Sequence, residues 1–285
     1  MEERSITNTS EYLYDHVKRK TLMEDMSFSE HAPKPGDRMP QFDLSSVDGD
    51  RVRMADFAGR KPVLLITGFY SCPMTASSDP VLKEFYRELG RDIELVMLHV
   101  REAHPGEHRE QPNTIEEKIG HAKALKERDE LPWSIVVDDP SGTVHQALDE
   151  KPYAVWLADR SGVIDYHGLW AGDDKGLEQA LDAVIRGVPP SQQESQQRVT
   201  PMAMGVGKMR EIALQSGPRA TNDLWRAAPP MAAVAWLADL YRPLPPTWRT
   251  IAAVATVVDG LAAIISSVKR TAAPERSYSQ HGSKV

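Results

Sequence analysis

Between residues 33 and 188 the chain alternates two hydrophobic patterns. Val63–Thr67 and Ile93–Val100 are continuous apolar runs of the kind found in strands buried on both faces, and Trp133–Val137 is a third. Between them lie segments with apolar residues at helical spacing. In SDPVLKEFYRELG, Asp79 stands as N-cap and Pro80 as first helical residue, with Leu82, Phe85, Tyr86 and Leu89 on one face and Gly90 past the end. In NTIEEKIGHAKALKER, Asn113 and Glu116 form a capping-box pattern, and a short helix is expected after Ser141. Two hairpins are predicted. Residues 41–44 and 51–54 flank Asp48-Gly49-Asp50, while 154–158 and 163–167 flank Asp159-Arg160-Ser161-Gly162. A last helix places Leu177, Ala180, Leu181 and Val184 on one face before Gly187. This order predicts an α/β unit whose first two buried strands are parallel neighbours joined by a right-handed crossover.

The rest of the chain is patterned differently. Residues 1–32 form a polar extension with one short helix around Tyr12, Leu13 and Val17, and Lys18-Arg19-Lys20 reads as its solvated face. Residues 189–200 (in VPPSQQESQQRVTP) have little to bury and read as a linker. A helical region is expected over 201–270 and a disordered tail over 271–285. Within the helical region, Ile251, Val254, Val258, Leu261, Ile265 and Val268 are spaced alternately three and four apart, a stripe that asks for a partner helix. Residues 231–241, with Val234, Trp236, Leu237 and Leu240, offer one across Arg242–Pro246. The bland reading is a helical hairpin packed on the α/β unit. The alternatives are a homodimer or other helix partner through 231–268, or a peripheral membrane contact. A transmembrane span is disfavoured, because only about 19 residues separate Arg249 from Lys269 and they include Asp259.

Composition narrows the function. A net charge of -7 lacks the basic footprint of a nucleic-acid binder. A single cysteine, Cys72, excludes an intramolecular disulfide, and the N-terminus has no apolar leader stretch, so a cytoplasmic protein is expected. Cys72 lies where the first buried strand gives way to a helix, and Arg101-Glu102-Ala103-His104 leaves the end of the second. Ligands tend to sit beyond the carboxyl ends of such strands. If the second strand continues past Val100, Glu102 and His104 share a face, as a carboxylate orienting an imidazole would require. Free N–H groups at the helix start would favour the Cys72 thiolate. Each residue also has an ordinary reading: a small buried hydrophobe, a solvated carboxylate, a surface histidine. His99, His104, His108 and Glu107 meet no recognised zinc spacing, so no metal is expected, and no phosphate-binding glycine loop is present.

The pieces GFYSCPM (68–74), HVREAHPGEH (99–108) and PYAVWLADRSG (152–162) resemble the iodothyronine-deiodinase-like branch of the thioredoxin-fold redoxins. The resemblance spans about residues 33–188 and implies a thioredoxin-like fold with the helical region as a C-terminal extension. It places Cys72 as nucleophile, Ser71 as the hydroxyl before it, and Glu102 and His104 as the acidic residue and histidine of a Glu-Ala-His motif. Pro152 falls where such folds keep a cis-proline facing the nucleophile, so Pro152, Met74 and Tyr70 are expected to face substrate. Met74 and Thr75 stand where the family has a second proline and an aromatic residue, and Tyr70 where some members have a further cysteine. The implied activity is a one-cysteine thiol oxidoreductase acting on a small molecule. It needs no bound cofactor, is regenerated by an external thiol, and includes reductive deiodination among its reactions. A one-cysteine thiol peroxidase and a non-catalytic interaction module using the C-terminal helices are the alternatives. Dithiol exchange lacks its second cysteine, since Thr75 stands there.

Overall fold

The computed structural model describes residues 12–271, except 173 and 196. Five strands form the central sheet: β3 (Val63–Gly68), β4 (Glu94–His99), β5 (Ser134–Val137), β6 (Val155–Ala158) and β7 (Ile164–Gly168). Their spatial order is β5-β4-β3-β6-β7; β3, β4 and β5 run parallel, while β6 and β7 are antiparallel to their neighbours. The small hairpin β1 (Asp43–Ser45) and β2 (Arg51–Arg53) leans on β5 through a bridge from Ser46 to Val136. Helices α2 (Pro73–Leu89), α3 (Ile115–Arg128), α4 (Thr143–Ala147) and α5 (Asp174–Ile185) complete a thioredoxin-like α/β unit. Every residue of β3 is buried, which explains why its sequence is an unbroken apolar run.

The strands fall where the hydrophobic pattern placed them, within a residue or two. Two helix starts do not. α2 begins at Pro73, not after Asp79, because Pro73 fills the first helical position and Cys72 caps it. Pro80 lies inside the helix; the Ser77 and Ser78 hydroxyls both bond the Met74 carbonyl one turn earlier. The box on α3 is Thr114 with Glu117, one residue later than expected, since the Thr114 hydroxyl accepts from the Glu117 N–H at 3.2 Å.

The N-terminal segment is docked. Residues 13–18 are not helical; a short helix, α1 (Arg19–Glu24), starts after them, with Lys18, Arg19 and Lys20 exposed. Tyr12 bonds His145 on α4 at 2.8 Å, and the Arg101 guanidinium lies over the Tyr12 ring. The segment expected as a linker is not free either. His167 on β7 accepts from Ser195 N–H and donates its own N–H to Gln193, so the chain runs along the sheet edge and satisfies that strand's open groups.

Beyond it lie α6 (Val199–Ser216), α7 (Pro218–Ala227), α8 (Pro229–Ala238) and α9 (Pro246–Thr271). Val206, Met209, Ala213, Leu224, Ala232 and Ala235 make a second, smaller core. α6 packs along α2, and α9 crosses α6, where the Thr250 hydroxyl donates to the Ala203 carbonyl at 2.7 Å. The stripe on α9 is not covered by residues 231–241: Val254, Val258, Leu261 and Ile265 are exposed, as is Leu240. The expected tail lies, beyond Thr271, outside the described residues.

Candidate active site

β3 ends at Gly68, and Phe69–Ser71 turn the chain into α2. Cys72 is the N-cap: its backbone is extended, and the Thr75 N–H points at Sγ from 3.3 Å. An N-cap side chain normally offers oxygen to these orphan donors; here sulfur takes that place. The free N–H groups favour a thiolate, as the sequence suggested. Burial outweighs them. Cys72 is 3% exposed, and burial pushes its thiol up to about 12, with Thr75 and Met74 pulling the other way. As it stands, Cys72 is a buried, protonated thiol.

The Glu102 carboxylate is fully buried against Ser71, the residue before the cap. It accepts the Ser71 N–H at 2.9 Å and the Ser71 hydroxyl at 2.5 Å, while its other oxygen meets His121 Nδ1 at 3.1 Å. His99 Nε2 stands 3.9 Å from that second oxygen. Burial disfavours the charged form, but the His121 bond, the two histidines and Ser71 together hold its carboxyl below the usual range. Gln111 fixes the backbone here: its side chain accepts from Glu102 N–H at 3.1 Å and donates to the Glu102 carbonyl at 2.6 Å.

Glu102 therefore does not orient His104, and no hydrogen bond joins them. The expected pairing assumed that the strand continues, but β4 stops at His99 and the alternation of faces is lost in the turn that follows. His104 faces the same small cavity as Ser71 and Pro73, its ring 6.2 Å from that of Phe69. Burial lowers its pKa to about 4, so it is neutral at pH 7 and supplies no positive charge to the thiol.

The three expected substrate-facing residues are also placed differently. Tyr70 is held between two guanidinium groups, Arg109 at 4.1 Å and Arg128 at 4.3 Å from its ring centre, and its carbonyl accepts from Arg128 at 2.8 Å. Met74 is pressed against α6 at Gly205, where any Cβ would overlap its sulfur. Pro152 is half-buried and its peptide bond is trans, as are all those described. Its neighbour Tyr153 is buried and close enough to Cys72 for the two ionisations to oppose each other.

Cys72 itself is buried in the α/β core, and the appended helical unit covers the residues on either side of it. Met209, Ile212 and Ala213 on α6, with Ala220 and Leu224 on α7, face Ser71, Pro73 and His104 across a cavity of about 20 Å3. That is room for roughly one water molecule. The loop after the Glu-Ala-His motif is joined to the same unit. His108 N–H donates to the Ser216 carbonyl at 2.9 Å, and the Glu107 carboxylate accepts Arg219 N–H at 2.8 Å in the first turn of α7. Gly106 is required here, because a Cβ would run into the Ser216 carbonyl.

His121 and the α6–α7 cover are the parts that sequence reasoning missed. His121 left one faint signal: Lys118, His121, Ala122 and Leu125 form the inward stripe of α3, and two polar residues on such a stripe call for buried partners. Among the described residues, no group of three His, Cys, Asp or Glu side chains converges as a metal ion would need.

The chain matches the redoxin family over residues 34–181. The methylamine utilization protein MauD of Paracoccus denitrificans is 30% identical over 167 residues, 58% of this chain and 73% of MauD. Among solved structures, an uncharacterized conserved protein from Geobacillus kaustophilus is 20% identical with a TM-score of 0.46, over 56% of this chain and 87% of its own. A secreted disulfide oxidoreductase of Mycobacterium tuberculosis is 16% identical with a TM-score of 0.35, over 44% and 80%. The matched stretch opens before β1 and closes within α5, leaving α6–α9 outside it. It takes in the sheet, the Cys72 cap and the Glu102 loop, and on that match the chain belongs to the redoxin family.

Proposed function

We propose that the chain is a thiol-dependent oxidoreductase in which Cys72 is the sole redox nucleophile and an external thiol completes the cycle. The observation that carries this reading is the position of the one cysteine at the cap of α2, beside a buried carboxylate that links Ser71 to His121. In the resting structure the thiol is buried and α6 and α7 close over its neighbours Ser71 and Pro73, so reaction requires this cover to swing away from the loop.

Once exposed, a thiol capping a helix returns toward or below its reference pKa of about 8.5. The thiolate then attacks an electrophilic atom of a small substrate. With a disulfide, the Sγ–S bond forms, the S–S bond breaks and a thiolate leaves. With a peroxide, the Sγ–O bond forms, the O–O bond breaks and the alkoxide takes a proton. With an iodoaromatic, the Sγ–I bond forms, the C–I bond breaks and the ring carbon takes a proton; this is the deiodinase-like reaction. The Ser71 hydroxyl gives that proton and recovers one from solvent relayed through His121 and the Glu102 carboxylate, since His121 reaches the surface with 18% of its side chain exposed. Two external thiols then reduce the oxidised Cys72, leaving as a disulfide.

A redoxin scaffold that does no chemistry is the competing reading, and the buried, protonated thiol favours it. A panel of iodophenols, peroxides and mixed disulfides, each with excess small thiol, separates the two. Turnover of any member by the intact chain, abolished in Cys72→Ser, supports the oxidoreductase and names its substrate class. No turnover by either the intact chain or a variant with the cover loosened, such as Ile212→Asp, contradicts it.

A further inference from the structure

α9 leaves the body of the molecule. Among its described side chains Ala253 is the last buried one, and every residue from Val254 to Ser266 is exposed. A lone helix of this length is marginal in water, so its free half needs a covering surface. Its exposed side chains repeat as a heptad. Ile251, Val258 and Ile265 fall at one core position and Val254 and Leu261 at the other, with Ile264 flanking them. β-branched residues hold the first position throughout, with Val254 and Leu261 at the second, a seam that two parallel helices in register can share. Asp259, Thr256 and Ser266 lie off this seam, so pairing buries no charge.

Size and charge point the same way. These side chains are about half exposed, from 45% at Val254 to 60% at Ile264. Two such faces would bury on the order of 1,000 Å2, where specific interfaces begin. By length and composition residues 246–266 would also suffice to cross a membrane, but Asp259 sits mid-span.

We propose that α9 is a dimerisation arm: two copies of this chain pair through parallel α9 helices along the Ile251–Ile265 seam. The test is sedimentation equilibrium of the full chain across a concentration series, with Val258→Asp/Leu261→Asp alongside. The chain should sediment at twice its mass, and the double variant at one mass with the sheet's circular dichroism unchanged. A second arm reads the seam directly in a Cys72→Ser background. Val258→Cys should cross-link to its copy under mild oxidation, whereas Thr256→Cys, facing away, should not. A monomeric chain, a dimer that survives the double variant, or equal cross-linking at 256 and 258 would overturn the proposal. So would a monomer that floats with phosphatidylcholine–phosphatidylglycerol vesicles, which would assign the arm to a membrane.

Discussion

At Cys72 the N–H groups that open α2 favour a thiolate, while burial opposes it and wins, lifting the thiol to about 12. At pH 7 this keeps the thiol protonated. For an acid whose folded pKa lies above its reference, closure contributes stability below the reference value and loses it as pH rises. The covered state should therefore loosen progressively above about pH 9, which hydrogen exchange of α6 and α7 would detect as faster amide exchange. Glu102 has the opposite sign. Its carboxyl is held below the usual range, so the stability it contributes is present above about pH 4.5 and fades as pH falls through the depressed value. Glu102→Gln turns two acceptor oxygens into one and faces an amide donor toward Ser71 or His121. We expect a loss of about 2–4 kcal/mol at pH 7 in denaturant unfolding, with the gap to the parent narrowing below pH 4. Turnover should fall by about 10–100-fold as the proton path is broken.

Among the elements, the sheet was legible because its strands are buried on both faces and so read as unbroken apolar runs. The start of α2 was not. Pro80 carries the same local signal as Pro73, and only the seating of Cys72 against the Thr75 N–H distinguishes a helix start from a proline tolerated inside. Glu102 and His104 were found as residues but mispaired, because where β4 ends is settled by Gln111 clamping the Glu102 backbone, a contact nine residues away. The loop that carries them is fixed to α6 and α7 at a point where no side chain fits. Gly106→Ala should therefore cost about 1–3 kcal/mol in thermal or denaturant unfolding, with the α6–α7 unit melting first.

For the whole molecule, the α/β domain could be read from periodicity, whereas the docking of the last four helices could not. An apolar stripe announces that it needs a partner but does not name it. α6 found its partner in α2 and the loop that leads into it, and the stripe of α9 is left on the outside. The consequence is a redoxin in which the residues flanking the single thiol are packed against a unit lying outside the redoxin match. The pH profile of Cys72 alkylation by iodoacetamide, in the intact chain and in Ile212→Asp, tests this most directly. The intact chain should react slowly, its rate rising tenfold per pH unit with no plateau below about pH 10. Ile212→Asp, with a carboxylate forced into the apolar cavity, should react on the order of a thousandfold faster at pH 7 and level off near or below the reference pKa of about 8.5. Coincident profiles, whether both fast or both inert, would contradict a thiol held in reserve by α6 and α7.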